Sequence, residues 1–496
     1  MSAPLLLGID LGTTGVKAVL VDAGTGVPVS LGSVDYPSST TPDGGHEQDT
    51  EDWWAATVTA VRAAVDRSDG RPVEAVGLSG HMHAVTLIGA DDQAMRPALT
   101  WADRRASGEA ADLRKQPQFV RRCGNPVVEA FSAPKVAWIA RHEPDALAAA
   151  VRMVLPKDVL RHRLTGTWGT DTSDAAGTLL YDVHERAWAN ELWELCGASP
   201  ALAPDIGLST EVVGRLLPEA ARATGLTAGT PVVAGAGDVA AAALGAGAVR
   251  SGCVYVNTGT AAQVMAPLAT AEAGPLFLFG QAGAPGFLVM ASVYAAGMSV
   301  RWAEKELLGG SGSAGDEGLA DLLGSEAPPG AGGLVYLPFM LGSSAPTHDD
   351  TVRAAFLGQG PEHGRAHVAR AVVEGVAFGC LAAVDEVAKQ IDGLTEIRVG
   401  GGVARSALWR DTVVAVAGGP VYGTRFDASP LGAALLAGVG IGVWDDVDEA
   451  SRTVTVDPLP VPPAEVRERC RQARARHRAA AEAVTAFSHT ALGGHP

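Results

Sequence analysis

Two stretches lying nearly half the chain apart share one design. Residues 4–22 read PLLLGIDLGTTGVKAVLVD and residues 250–266 read RSGCVYVNTGTAAQVMA. Each is an apolar strand, a polar turn containing Gly-Thr, and a second strand. Similar hairpins heading two halves imply a duplicated domain plan. The length of 496 residues agrees, because a single core stops growing near roughly 250–300 residues. The Gly-rich run LGAGAVRSG (244–252) is the expected boundary, giving domains 1–245 and 246–496. After the first hairpin, strand-like and helix-like segments alternate. Residues 5–9, 16–21, 75–79 and 84–89 read as strands, 90–93 as a hairpin turn, and 52–66 as a helix with Asp52 as its cap. The succession is that of an α/β protein.

Composition narrows the function. The net charge of −17 argues against sequence-independent nucleic-acid binding and against an anionic membrane surface. Hydrophobic residues make up 47% and charged residues 19%, which suits a globular chain with a large core. Five scattered cysteines form neither a disulfide framework nor a close metal cluster, so a reducing, cytoplasmic setting is expected. The opening MSAPLLLGID lacks the basic start of a secretory signal, and none is expected. Residues 273–300 carry no charge, but glycines, two prolines and a glutamine interrupt them. They are expected as buried strands and a helix start, not a membrane span. GGSGSAGDEG (309–318) reads as a surface loop, and the arginine-rich 463–487 as a solvated terminal helix.

The turns suit phosphate. Glycine admits close backbone approach, successive N–H groups can point into one concavity, and threonine hydroxyls add donors. Gly12, Thr13 and Thr14, with Lys17 nearby, supply this in the first half; Thr258, Gly259 and Thr260 supply it in the second. One such turn alone occurs in ordinary hairpins. The pair puts two phosphate-gripping turns across one cleft. Gly400-Gly401-Gly402 follows the strand-like EIRV (396–399) and precedes a helical segment. That pattern places a helix N-terminus beside a nucleotide, and it equally describes a tight turn that binds nothing. Asp10, at a strand end, can hold Mg²⁺ against phosphates. Asp238, opening an Ala-rich helix after a Gly-rich turn, can cap that helix, accept the proton of an attacking hydroxyl, or do both.

These motifs together resemble the FGGY carbohydrate kinases of the actin–hexokinase superfamily, and within them most closely the xylulokinases. The resemblance is carried by GIDLGTTGVK (8–17), Met82-His83, FSAPKVAWIARH (131–142), LPKD (155–158), DTSDAAGT (171–178), GAGD (235–238), NTGT (257–260) and GGVARS (401–406). It implies a two-domain actin/hexokinase-like fold, ribonuclease H-like and duplicated, with an interdomain cleft. Residues 1–245 would carry the sugar side and the first phosphate loop, and 246–496 the second phosphate loop and the adenosine site. The implied reaction is ATP-dependent phosphorylation of a sugar hydroxyl, most simply D-xylulose to D-xylulose 5-phosphate, with Mg²⁺. By position, Asp238 would be the catalytic base and, with Asp10, would hold the metal. Met82, His83 and Asp238 would line the sugar site. Gly259, Thr260, Gly297, Gly401, Gly402 and Arg405 would lie along the nucleotide. The partners would be a small sugar and ATP, in a homodimer.

Departures from the family pattern fall near the sugar. His81 stands where xylulokinases usually have Gln. Trp101-Ala102-Asp103 replaces their polar triplet and is nearer to the gluconokinases, and Val239 follows the catalytic Asp where Asn is usual. His81, Trp101 and Asp103 therefore join the expected substrate-binding set. GSSAPTHDD (342–350) also departs. These changes keep open a kinase for gluconate, another ketose or a polyol, and a catalytically silent sugar- or nucleotide-binding regulator. His81 and His83 share a strand face without a third ligand, so no zinc site is expected. The motifs at 131–142 and 155–178 exclude an actin-like ATPase or chaperone.

Overall fold

The computed structural model describes residues 3–271, 274–310, 318–343 and 347–491. Two compact units emerge. One comprises Met1–Arg250, Leu268–Leu288 and Phe426–Thr455; the other Ser251–Pro267, Val289–Arg425 and Val456–Pro496. The units interleave along the chain, whereas the expected boundary is a single cut.

The first unit is built on a sheet ordered Val212–Arg215, Pro231–Val233, Val73–Gly80, Leu5–Leu11, Gly15–Asp22, Pro28–Asp35. Leu5–Leu11 pairs antiparallel with Gly15–Asp22 and parallel with Val73–Gly80. Leu5, Leu6, Leu7, Ile9 and Leu11 are all fully buried, which explains a continuous apolar run in a strand covered on both faces. Glycines show why residues 426–455 group with the N-terminal half. A Cβ at Gly8 would lie 1.9 Å from the Pro430 carbonyl oxygen, and one at Gly77 would lie 1.8 Å from that of Ala433. The helix Ala428–Gly440 thus rests directly on the two central strands. The helix Asp238–Gly245 meets it as closely, since a Cβ at Gly432 would lie 1.9 Å from the Ala241 oxygen. Backbone packed this tightly leaves no room for a methyl group.

The helix Thr50–Val65 is capped by Asp49, whose side chain accepts from the Glu51 N–H at 2.9 Å, rather than by the expected Asp52. Asp52 sits inside the first turn, where its charge still opposes the helix dipole. Residues 90–93 form the expected turn, with the Gly89 N–H donating to the Gln93 oxygen at 2.9 Å.

The second unit repeats the opening. Cys253–Thr258 pairs antiparallel with Ala262–Leu268 and parallel with Glu396–Gly401, which is followed in the sheet by Val421–Thr424 and Val456–Pro458. Within residues 273–300 lie the strands Phe277–Gly280 and Phe287–Val293 and the start of the helix Gly297–Glu306. Among the described residues no helix is long and apolar enough to cross a membrane. The C-terminal segment is the helix Ala464–Ala491. Of the expected loop 309–318, residues 311–317 lie outside the described residues, as do 344–346 within 342–350. All five cysteines are buried and unpaired with one another.

Candidate functional site

In the first unit, register sets the first turn. Asp10 stands opposite Lys17 across the hairpin and beside Ser79 in the parallel pair. Its Oδ1 accepts hydrogen bonds from the Ser79 hydroxyl at 2.9 Å and the Ser429 hydroxyl at 2.8 Å. Burial raises the Asp10 pKa, outweighing the two hydroxyls and the Lys17 charge that pull it down. The turn closes through Gly12 N–H to the Gly15 oxygen at 3.0 Å. Thr13 Oγ1 accepts from the Trp101 indole at 2.9 Å, and its carbonyl accepts from Gln48 at 2.7 Å. Thr14 is exposed. The Lys17 ammonium lies 2.9 Å from Asp427, each side chain 42% exposed, so it sits paired beside the turn.

The strand Pro231–Val233 runs into a turn that only glycine can make. Gly235 has φ +75°, and a Cβ there would lie 1.9 Å from the Leu78 oxygen. Gly237 is the helix cap, and Asp238 is the first helical residue rather than the expected cap. The Asp238 carboxylate accepts the Val239 N–H at 2.8 Å. Its pKa is pushed up to about 7, first by burial and then by the charge of Asp10, against the pull of that N–H. Two desolvated carboxylates, one raising the pKa of the other, are costly to the fold and are the environment that tunes a proton acceptor. Val239 is buried at 3% exposure, its side chain in the core.

Met82 is held between two glycines. A Cβ at Gly177 would come within 2.6 Å of its methyl, and one at Gly237 within 2.8 Å of its sulfur. His83 has φ +72°, and its Nδ1 lies 2.5 Å from the Gly177 carbonyl. A carbonyl only accepts, so Nδ1 carries the hydrogen and Nε2 is left as an acceptor. Burial lowers the His83 pKa to about 4, which keeps the ring neutral. Phe131 packs edge-on against it, centroids 4.6 Å apart. Lys135 of the same FSAPK segment donates to the carbonyls of Glu129, Ala130 and Phe131 at 3.1, 2.5 and 2.8 Å, fixing that ring's loop.

The other expected sugar ligands are placed differently. His81 is 1% exposed, edge-on to Trp53, and its ring nitrogens have no hydrogen-bond partner among the described residues. Burial drives its pKa to about 3. Asp103 is fully buried; its oxygens take the backbone N–H groups of His46 and Arg105, both at 3.0 Å, and the Arg105 guanidinium at 2.6 Å. Desolvation alone would raise its pKa, but these donors lower it. His81 is thus packed against Trp53, and Asp103 is held by His46 and Arg105. Trp101, 38% exposed, faces outward.

In the second unit, Thr258 departs from expectation. It is fully buried, its hydroxyl donating to the Gly400 oxygen at 2.7 Å and accepting the Ala404 N–H at 2.9 Å. It staples the two glycine turns together. Gly259 and Thr260 are exposed. Gly297 N–H donates to the Gly259 oxygen at 3.1 Å, which seats the helix Gly297–Glu306 against the turn. The exposed Arg301 of that helix donates to Thr260 Oγ1 at 2.9 Å. Sequence reasoning missed Arg301, although its place one turn after Gly297 is a signal once the helix is known. Gly401, at φ +88°, and Gly402 are exposed, as is Arg405. They lead into a 3₁₀ turn, Val403–Arg405, and the next α-helix starts only at Ala407, capped by Ser406. The glycines therefore present a turn, not the N-terminus of a long helix.

The donor set fits Mg²⁺. Asp10 and Asp238 are two buried carboxylates, and the charge of Asp10 raises the pKa of Asp238, which a divalent cation would offset. No group of three or more His, Cys, Asp or Glu suited to a metal occurs among the described residues.

Comparison with known proteins agrees. Residues 5–245 match the N-terminal domain of the FGGY family of carbohydrate kinases, and residues 251–441 match its C-terminal domain. The chain is 35% identical to the xylulose kinase of Escherichia coli (strain K12), covering 87% of this chain and 89% of that one. It is 32% identical to the xylulose kinase of Bacillus subtilis (strain 168), covering 90% of each. The crystal structure of a "xyloylose kinase" from Brucella ovis superimposes with a TM-score of 0.87 at 30% identity, over 97% of this chain and 100% of that one. The chain belongs to the FGGY family of carbohydrate kinases and transfers phosphate from ATP to a sugar hydroxyl.

Proposed function

We propose that the sugar is a ketopentose, D-xylulose foremost, and that Asp238 is the general base of the transfer. The observation that carries the mechanism is the buried Asp238 carboxylate at the head of its helix, held by the Val239 N–H, with its pKa raised to about 7 by burial and by Asp10. An ordinary aspartate near pKa 4 is a weak base for a sugar hydroxyl; one tuned to neutrality is matched to the task. The hydroxyl donates to the Asp238 carboxylate and attacks the γ-phosphorus; its proton passes to Asp238, and the bond from the γ-phosphorus to the β-phosphate oxygen breaks to release ADP. The neutral His83 accepts from a second hydroxyl through Nε2. Met82 gives the apolar wall, and Trp101, tied to Thr13, joins the sugar side to the first phosphate turn. His81 and Asp103 position these groups. Mg²⁺, held by Asp10 and Asp238, would neutralise the polyphosphate and polarise the transferred group. Gly12, Thr13, Thr14 and Lys17 receive phosphate; Gly259, Thr260, Gly297, Gly401, Gly402 and Arg405, with Arg301, receive the nucleotide. Thr258 supports them.

D-Xylulose is supported by the names of the two relatives. Gluconate is the second reading, favoured by Trp101-Ala102-Asp103. Protein in Mg-ATP should release ADP several-fold faster with a pentulose, and mass detection should find its monophosphate. Faster release with gluconate selects the second reading. Sugar binding in calorimetry without product selects a silent regulator. The buried cysteines support a cytoplasmic setting, and sedimentation at micromolar concentration tests the homodimer.

A further inference from the structure

The motifs LPKD and DTSDAAGT supply no substrate ligand in the mechanism above, yet they build a dense buried charge cluster. Lys157 Nζ lies 2.7 Å from Asp158, 3.2 Å from Asp171 and 3.3 Å from Asp174, with all four side chains at 0–1% exposure. Three carboxylates around one ammonium, removed from water, are a costly arrangement. Burial and the neighbouring charges raise the Asp174 pKa well above the usual range despite Lys157.

What the cluster holds is the five-residue helix Thr172–Ala176. At its start, Asp171 Oδ2 accepts the Ser173 hydroxyl at 2.6 Å and the Ser173 N–H at 3.0 Å. The Ser173 oxygen in turn accepts the Gly237 N–H at 3.0 Å. Gly237 is the residue before Asp238. At the other end, Gly177 N–H donates to the Asp174 carbonyl at 3.0 Å, and the Gly177 carbonyl receives His83 Nδ1. One short helix therefore grips the backbone under the base with one end and the sugar-facing histidine with the other. Ser173 is fully buried, and a Cβ at Gly280 would lie 3.0 Å from its Cα, so its hydroxyl has no other place to go.

We infer that Ser173 is a positioning residue for the general base: anchored on Asp171 and Lys157, its hydroxyl fixes the Gly237 peptide and so aims the Asp238 carboxylate at the attacking hydroxyl. The inference rests on Asp238 being the base. Ser209 provides a matched control. It donates to the same Asp171 Oδ2 at 2.8 Å, is equally buried, and has no bond to Gly237.

The experiment compares Ser173→Ala and Ser209→Ala in the full chain, with Asp238→Asn as reference. Both serine variants should lose thermal stability, Ser173→Ala the more, since it also leaves the Gly237 N–H without its partner. Ser173→Ala should lower kcat about 10-fold, the scale of a sub-ångström misplacement, with the sugar KM within two-fold. Ser209→Ala should keep kcat within two-fold. Added to Asp238→Asn, Ser173→Ala should cost no further rate, because it acts through the group already removed. Equal kcat for the two serine variants, or a full additional loss in the Asp238→Asn background, overturns the inference. Should Ser173→Ala not fold, Ser173→Cys keeps the shape with a weaker acceptor; kcat reduced about three-fold supports the inference, and unchanged kcat overturns it. Undiminished turnover of Asp238→Asn itself would remove the base assignment instead, so the two failures are told apart.

Discussion

The two Gly-Thr hairpins share a strand order and a Gly-Thr turn, and they differ in charge. Each opens its unit with an antiparallel pair whose first strand also pairs in parallel with a later one. Two residues before the glycine, however, the first has Asp10 facing Lys17, and the second has Asn257 facing Gln263. In the first, the carboxylate is buried under two serines and raises the pKa of Asp238. In the second, the Asn257 amide lies 3.3 Å from Gln263, a neutral pair. A duplicated scaffold repeats the strand pairing of both turns; one strand position decides which of them carries a buried carboxylate.

Asp238→Asn tests the charged side most strongly. An amide cannot take the proton, so kcat should fall by about 10³-fold, within the range for general bases. Mg²⁺ beside Asp238 would lower its pKa from the metal-free value of about 7, so in Mg-ATP the activity of the parent should rise with pH over a range below 7, and that limb should vanish in the variant. Stability should move the other way. The folded pKa exceeds the unfolded value near 3.8, so the folded state binds more protons between about pH 4 and 7 and loses stability as pH rises. Asp238→Asn should therefore unfold at a higher temperature than the parent at pH 8, with the advantage gone below pH 4. No gain at pH 8 would mean that Asp238 carries no buried charge.

Exchanging the two hairpins' chemistry is the next largest effect. Asp10→Asn makes the first turn resemble the second and should cost about 10²-fold in kcat, with a raised Mg²⁺ requirement. Asn257→Asp puts a carboxylate beside polyphosphate, and should raise the ATP KM roughly ten-fold while leaving the sugar KM alone. Equal losses from the two would erase the distinction.

The hairpins, the central strands and the Asp10 and Asp238 positions were legible in the sequence because each is set by local pattern: an apolar run, a turn, a polar residue at a strand end. What was not legible depends on contacts distant in sequence. Nothing near Thr258 signals that its hydroxyl meets Gly400 and Ala404. Asp103 looks available until Arg105 and His46 close on it. The interleaved units follow from glycines at 8 and 77 meeting a helix that begins at Ala428. The helix cap at Asp49 rather than Asp52 is a smaller miss of the same origin, since either residue satisfies the local rule.

Arg301 sharpens the neutral side. It is the exposed cation at the second turn, bonded to Thr260. Arg301→Ala should raise the ATP KM about five- to ten-fold with kcat within three-fold, and the effect should shrink at high salt, as for an exposed charge on phosphate.

Thr258→Val gives the smallest effect and the cleanest separation of roles. Valine matches threonine in shape, so only the two hydrogen bonds are lost. The Gly400 carbonyl and the Ala404 N–H would be left buried without their partner, at a cost of about 1–3 kcal/mol. That should read as a lower urea midpoint with the ATP KM within two- to three-fold, because the hydroxyl spans protein to protein. A ten-fold rise in ATP KM at unchanged stability would show instead that the hydroxyl turns out to meet phosphate. The second turn would then be using its threonines as the first turn uses Thr14, and the two hairpins would be alike in everything but the carboxylate.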